Sequence, residues 1–115
     1  MIIAMASDHA GYELKMAIRE KLEKEGYQIL DLGTDSTESL GEAVMAGKAE
    51  KGIAVCGTGI GISIAANKVK GIRCALCTSV EMAKMAKQHN NANILAMGGR
   101  TTDKELAFQM VDTWL

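Results

Sequence analysis

The chain has 115 residues, 48% of them apolar, and a formal net charge of −1. This length suits one domain with a substantial core, so residues 1–115 are expected to form a single domain. The net charge is near zero, whereas proteins that bind nucleic acids or membrane surfaces are usually basic. No apolar run is long enough to span a bilayer. We therefore expect a cytoplasmic protein that binds neither nucleic acid nor membrane.

In chain order, apolar runs alternate with amphipathic segments. Strands are predicted over residues 2–7, 27–33, 52–57, 72–77 and 92–99. Helices are predicted over residues 12–25, 41–46, 60–68, 80–89 and 104–115. The alternation predicts an α/β protein: a three-layer αβα, Rossmann-like fold with a five-stranded parallel sheet covered on both faces.

Periodicity also predicts which helix faces are buried. In the first helix, Leu14, Ile18 and Leu22 form the apolar face, and Lys15 lies on the opposite, solvated face. The predicted apolar faces of the fourth and fifth helices hold Val80, Met82, Met85 and Ala86, and Ala107, Met110, Val111 and Trp114, respectively.

The chain has three cysteines, and Cys74 and Cys77 form a C-x-x-C pattern. A zinc or redox site needs this pattern in a loop or at a helix start. Here the pattern falls in a predicted strand, where residues three apart point to opposite faces. Buried structural cysteines are therefore favoured, and no metal site is predicted.

Two predicted strands end in residues that could carry chemistry. Ser7-Asp8-His9 follows the first strand, and Cys56-Gly57-Thr58-Gly59-Ile60-Gly61 follows the third. In a doubly wound sheet, ligands bind beyond the carboxyl ends of the strands. The N–H groups of the glycine loop and of the following helix N-terminus favour an anion. They also favour a thiolate, which makes Cys56 a candidate base or nucleophile.

Structural interpretations of the same residues stay open. The Gly-x-Gly-x-Gly loop has neither the spacing of a dinucleotide fingerprint nor the lysine of a P-loop, so it can be a turn beside a packed cysteine. Asp8 can cap the first helix, and His9 can be an ordinary surface residue.

Five segments together resemble the family of ribose-5-phosphate isomerase type B, which also holds the galactose-6-phosphate isomerase subunits. They are "SDHAGYELK", "DLGT", "CGTGIGISIAANKVKGIRCAL", "KQHNNANILAMGGR" and "ELAFQMVDTWL", in the family's order over nearly the whole chain. Within the family, Cys56 together with His89 points to the ribose-phosphate enzyme, because each type of galactose-6-phosphate isomerase subunit typically lacks one of the two.

The resemblance implies an aldose–ketose isomerase that acts on a sugar phosphate through a cis-enediolate, with no cofactor and no metal. By family match, Cys56 would be the base, Thr58 would relay a proton and His89 would open the furanose ring. The implied substrate-binding residues are Asp8, His9, Gly57, Gly59, Ile60, Gly61, Asn90 and Arg100, of which Arg100 would bind the phosphate.

The chain departs from the family pattern in two places. Family members usually carry a segment like "DYPDYA", with an active-site tyrosine, where Ser39 here runs straight into Leu40. Either the sequence omits residues or the deletion is real, and the remaining crossover is near the minimum length. Many relatives also continue past the last helix with phosphate-binding arginines, whereas this sequence stops at Leu115.

The predicted topology separates Cys56 from His89. Cys56 ends the third strand at the carboxyl edge, whereas the helix over 80–89 must return to the amino edge before the fifth strand. A ten-residue helix is about 15 Å long, too far for both residues to touch one small sugar in one chain. We therefore expect a homodimer, or a dimer of dimers, with active sites shared between subunits. Alternatively, His89 only caps its own helix.

Other functions remain open. The chain could be a non-catalytic phosphosugar-binding subunit of the same fold, or an isomerase of a 6-phosphohexose such as allose or galactose 6-phosphate. A flavodoxin-like nucleotide binder is disfavoured, because no aromatic residue near the loops could stack on a base.

Overall fold

A parallel sheet organises residues 1–34 and 37–115, which the computed structural model describes. Its strands are β1 (Ile2–Ser7), β2 (Gln28–Asp31), β3 (Lys51–Cys56), β4 (Cys74–Leu76) and β5 (Ile94–Gly98). The helices are α1 (Tyr12–Lys24), α2 (Thr37–Met45), α3 (Ile60–Asn67), α4 (Val80–Gln88) and α5 (Lys104–Trp114). The strand order is β2-β1-β3-β5-β4 with every pair parallel, which confirms the predicted fold class.

Two apolar layers cover the two faces of the sheet. Along β3, Ile53 and Val55 pack with residues of α1, α4 and α5, and Ala54 and Cys56 pack with residues of α2 and α3. Strands that are buried on both faces need apolar side chains at successive positions, which is why they read as continuous apolar runs. The central strands β1, β3 and β5 therefore hold their loops on a rigid base.

The predicted helix faces are confirmed for α5 and partly wrong for α4. Ala107, Met110, Val111 and Trp114 of α5 are all fully buried. In α4 the core residues are Ala83 and Ala86, whereas Met82 is 41% exposed, because the methionine side of the helix is turned towards the free edge of β4. Within residues 1–34 and 37–115, no helix is long and apolar enough to cross a bilayer.

The predicted solvated position of Lys15 is wrong. Lys15 is only 1% exposed, and its Nζ lies 2.8 Å from Oδ1 of Asp31 at the end of β2. Arg19 adds a second contact to the same carboxylate, at 3.0 Å. Burial alone raises the pKa of Asp31, but hydrogen bonds from Lys15, the Gly33 N–H and Arg19 outweigh it and lower the pKa below its ordinary value. The cluster ties α1 to the end of β2.

Helix α2 begins four residues before the predicted segment 41–46. Its first turn is polar and exposed at Glu38 and Ser39, so the apolar periodicity starts only at Leu40. Ser39 and Leu40 are consecutive residues inside the helix. Ser36, where the predicted polar stretch begins, lies outside the described residues.

Candidate active site

The loops that follow β1, β3 and β5 meet at the carboxyl end of the sheet. The Asp8 N–H donates to the Val55 carbonyl at 3.2 Å, which ties the first loop to β3. The Gly99 N–H donates to the Cys56 carbonyl at 2.6 Å, and the Arg100 N–H donates to the Gly57 carbonyl at 2.9 Å. Strand order alone thus brings three separate sequence motifs to one place.

Glycines let these loops touch backbone to backbone. A Cβ on Gly11 would lie 2.2 Å from the Val55 carbonyl oxygen, and a Cβ on Gly98 would lie 2.6 Å from the Thr58 carbonyl carbon. No side chain fits at such distances, because real Cβ atoms do not approach other heavy atoms within 3.0 Å. The loops can therefore hold this geometry only with glycine at both positions.

Cys56 lies at the base of the glycine loop. It is 8% exposed, and its Sγ accepts a hydrogen bond from the Gly59 N–H at 3.1 Å. Gly59 precedes α3 with φ +82°, a left-handed conformation that glycine adopts without strain. The first N–H groups of a helix have no partner inside the helix, so the start of α3 offers donors beside the thiol.

Thr58 and Arg100 border the same loop from the solvent side. Both are exposed, and the Thr58 Oγ1 accepts from the Ile60 N–H at 3.2 Å. A Cβ placed on Gly57 would be 3.4 Å from Nη1 of Arg100, so the guanidinium lies against the loop. A thiol, a hydroxyl, backbone donors and a cation are thus presented to one small volume.

Asp8 has a capping role, but for the turn before α1 and not for α1 itself, whose N-cap is Gly11. Its Oδ1 accepts from the Gly11 N–H at 2.9 Å and caps the short 3₁₀ turn His9–Gly11 that precedes α1. Both Asp8 and His9 are exposed at the same end of the sheet as Cys56. A capping role leaves the second carboxylate oxygen available to a ligand.

Ser7, the last residue of β1, lies at the same end of the sheet and was not among the predicted catalytic or binding residues. Its side chain is buried at 2% exposure, and its Oγ has no hydrogen-bond partner among the described residues. Its N–H donates to the Gly33 carbonyl at 3.1 Å. The signal in the sequence that could have identified Ser7 is a polar residue at the end of an apolar strand.

His89 and Asn90 lie at the opposite end of the sheet. In the register of β3 and β5, Cys56 pairs with Gly98, whereas Ile94, where β5 begins, is four residues away, about 13 Å along the strand. His89 is the exposed C-cap residue of α4 and precedes β5, so it lies beyond that end. The structure does not bring His89 or Asn90 to the Cys56 of its own chain, as the topology predicted.

Strand β4 leaves one edge of the sheet unpaired within the described residues, and a cavity of about 490 Å³ lies along it. Its lining includes Arg73, Cys74, Leu76, Met82, Met85 and Asn90. A Cβ on Gly59 would lie 2.4 Å from Cδ1 of Leu76, so the Cys56 loop adjoins this edge. Ile60 and Ile64, on the neighbouring helix α3, are 54% and 56% exposed.

Cys74 and Cys77 pack with the apolar layers on opposite faces of the sheet, as predicted. Burial raises the pKa of Cys74 to about 12, with a further contribution from Cys77. Burial also raises the pKa of Cys77 to about 11. Both thiols stay neutral near neutral pH, which agrees with structural roles.

Comparison with known proteins places this arrangement in a family. The family model described as Ribose/Galactose Isomerase matches residues 3–115. Ribose-5-phosphate isomerase B of Escherichia coli is 43% identical over 98% of this chain and 82% of its own length. The solved structure of the Clostridium thermocellum ribose-5-phosphate isomerase B has a TM-score of 0.96 at 50% identity, covering 99% of this chain and 83% of that one.

Relatives with other names are similar at the same level. The galactose-6-phosphate isomerase subunit LacB of Clostridium acetobutylicum is 40% identical over 100% of this chain and 72% of its own length. The D-erythrulose-4-phosphate isomerase of Pectobacterium atrosepticum is 38% identical over 98% of this chain and 81% of its own length. The sequence match and the shared fold together show that the chain belongs to the Ribose/Galactose Isomerase family and is a sugar-phosphate isomerase.

Proposed function

We propose that the chain interconverts ribose 5-phosphate and ribulose 5-phosphate, with Cys56 as the base. The observation that carries the proposal is the Cys56 thiol at the end of β3, which accepts the Gly59 N–H at 3.1 Å beside the start of α3. Aldose–ketose isomerisation needs a base next to donors that stabilise a developing oxyanion, and this loop supplies both.

The proposed chemistry uses this arrangement. The Cys56 thiolate takes the proton from C2 of the open-chain aldose, and the electron pair forms the cis-enediolate. The resulting thiol returns the proton to C1, while Thr58 moves a proton between the two sugar oxygens. N–H groups of the loop from Gly57 to Gly61 stabilise the negative charge on oxygen, apart from those of Gly59 and Ile60, which bond within the loop. Each well-placed donor contributes about 3 kcal/mol. Arg100 binds the phosphate, because its guanidinium donates two parallel hydrogen bonds.

His89 is proposed to open the furanose ring in a neighbouring subunit's site, with Asn90 beside it. A twofold axis perpendicular to the strands would place the amino edge of one copy beside the carboxyl edge of the other. The unpaired edge of β4, its apolar cavity and the exposed Ile60 and Ile64 form the surface for this contact. Because this surface adjoins the Cys56 loop, a partner docked there would reach the site.

The first test is isomerisation of ribose 5-phosphate by the purified protein and by its Cys56→Ala variant. Loss of a general base should lower kcat/KM at least about a hundredfold. Cys77→Ala is the matched control, because it removes another buried thiol that is not beside the glycine loop. Both variants should keep the native circular dichroism spectrum.

Three outcomes would contradict the proposal. Native-like turnover by Cys56→Ala would rule out Cys56 as the base. Absence of any turnover by the native protein would favour the non-catalytic subunit. A higher kcat/KM for galactose 6-phosphate than for ribose 5-phosphate would favour the hexose phosphate instead, which the similarity to LacB keeps as the second candidate.

A further inference from the structure

A single arginine holds the turn that carries His89 and Asn90. The Arg73 Nε donates to the Asn91 carbonyl at 3.0 Å and to the Asn90 carbonyl at 3.3 Å. Its Nη2 also donates to the Asn91 carbonyl, at 2.8 Å. These bonds join the residue that precedes β4 to the exposed end of α4, 17 and 18 positions further along the chain.

The turn ends α4 with a left-handed residue and has little packing of its own. Asn91 has φ +47°, in the left-handed region that, among residues other than glycine, asparagine tolerates best. Residues 88–91 are all exposed, so core packing does not fix them. Within the backbone, the His89 N–H bonds to the Met85 carbonyl and the Ala92 N–H to the Ala86 carbonyl, both at 2.9 Å.

Arg73 is itself fixed by the start of β5. Its N–H donates to Oδ1 of Asn93 at 2.8 Å, and its carbonyl accepts from the Asn93 N–H at 3.0 Å. The Asn93 Nδ2 also donates to the Gly71 carbonyl at 3.1 Å. With its backbone held on both sides, the planar guanidinium is already placed to bridge two carbonyls, which a lysine ammonium cannot do with the same geometry.

We propose that Arg73 is a positioning residue for ring opening: it sets the Asn90–Asn91 turn so that His89 reaches the sugar ring in the neighbouring site. This inference rests on the proposed role of His89. Arg73 does not need to touch the substrate. Its effect is transmitted through the backbone carbonyls of Asn90 and Asn91, and a displacement of His89 of about 1 Å is enough to cost much of its contribution.

The test is a double-mutant cycle on ribose 5-phosphate turnover, with Arg73→Met, His89→Ala and the double variant. Removal of His89 is expected to lower kcat/KM about a hundredfold. Arg73→Met, which keeps the length of the side chain but no donor, should lower it about tenfold. If Arg73 acts through His89, the double variant should be no worse than His89→Ala alone. Arg73→Lys should fall between wild type and Arg73→Met.

The other outcomes show whether the proposed role of His89 or the proposed role of Arg73 is wrong. Native-like turnover by His89→Ala would contradict the proposed function of His89 itself. Losses that multiply in the double variant would overturn the Arg73 inference and leave the role of His89 standing. A loss in Arg73→Met that disappears at high protein concentration would assign Arg73 to subunit contact instead and would also overturn it. Lys24→Met is the control, because it removes an exposed cation that pairs with Glu20 and contacts neither the Cys56 loop nor the turn.

Discussion

At the carboxyl end of the sheet, the loops after β1, β3 and β5 meet through backbone contacts that only glycines permit, at Gly11 and Gly98 among others. At the amino end, the turn after α4 is held by side chains, those of Arg73 and Asn93. The close packing of these loops sets the first turn of α3, with its N–H donors, beside Cys56. A turn held by side chains projects its own side chains into solvent. In the proposed function, the first end binds the anionic substrate, and the second supplies residues that reach Cys56 only from another chain.

The sharpest test of this difference inactivates one end in one protomer and the other end in its partner. Cys56→Ala and His89→Ala protomers, each nearly inactive alone, are mixed through reversible dissociation. In a random 1:1 mixture half of the dimers are hybrids, and each hybrid has one intact site if sites are shared, so about a quarter of native activity should return. The measurement is ribulose 5-phosphate formation before and after mixing.

Hybrid formation has to be shown independently, by mass spectrometry of one isotope-labelled partner. Each variant alone, taken through the same dissociation, controls for refolding gains. If hybrids form and activity stays at the level of the separate variants, the two ends do not act at the same site. His89 would then only cap α4.

The second largest expected effect is on the free energy of unfolding. It concerns the ion pair of Asp31 and Lys15, which ties α1 to the carboxyl end of β2. Asp31 is 16% exposed and pairs with Lys15, whose side chain is 2% exposed. Asp31→Asn leaves the Lys15 charge buried without a counterion, which should lower the free energy of unfolding by about 3 kcal/mol at neutral pH. Glu20→Gln, which breaks the exposed Lys24–Glu20 pair, should change it little.

The pH dependence of this effect has a defined sign. Because the pKa of Asp31 in the folded state is lowered from 3.8, its stabilisation is complete above that value and lost as pH falls through the folded-state pKa. The difference between wild type and Asp31→Asn in urea unfolding should therefore narrow below pH 3.8. A difference that widens on acidification would mean that the pair does not stabilise the native state.

At the same end, Arg100→Ala separates phosphate binding from chemistry. Loss of a charge-assisted hydrogen bond should raise KM for ribose 5-phosphate about tenfold or more. Turnover of unphosphorylated ribose should be affected much less, since it has no group for Arg100 to bind. Lys24→Ala, which removes an exposed cation paired with Glu20, supplies the control. Equal losses for both sugars would make Arg100 a structural residue of the loop after β5.

The sequence predicted the carboxyl end better than the amino end, for a physical reason. Parallel strands put their carboxyl ends on one edge, so apolar runs followed by "SDH" and "CGTGIG" were enough to place Asp8 and Cys56 together. Arg73 was missed because its partners are backbone carbonyls, which leave no trace in residue identity. Helical periodicity placed Lys15 in solvent because it carries no information about Asp31, a partner 16 residues away.

The smallest expected effect concerns the single left-handed residue of the amino-end turn. Asn91→Ala forces alanine into φ +47° and should lower the free energy of unfolding by about 1 kcal/mol. Asn91→Gly should be neutral within a few tenths of a kcal/mol, because glycine adopts that conformation freely but gains entropy when unfolded. Urea unfolding of the two variants measures the difference, since neither removes the carbonyl that Arg73 binds. Equal stabilities would mean that the turn is not left-handed in solution. The turn conformation that Arg73 is proposed to hold would then be absent.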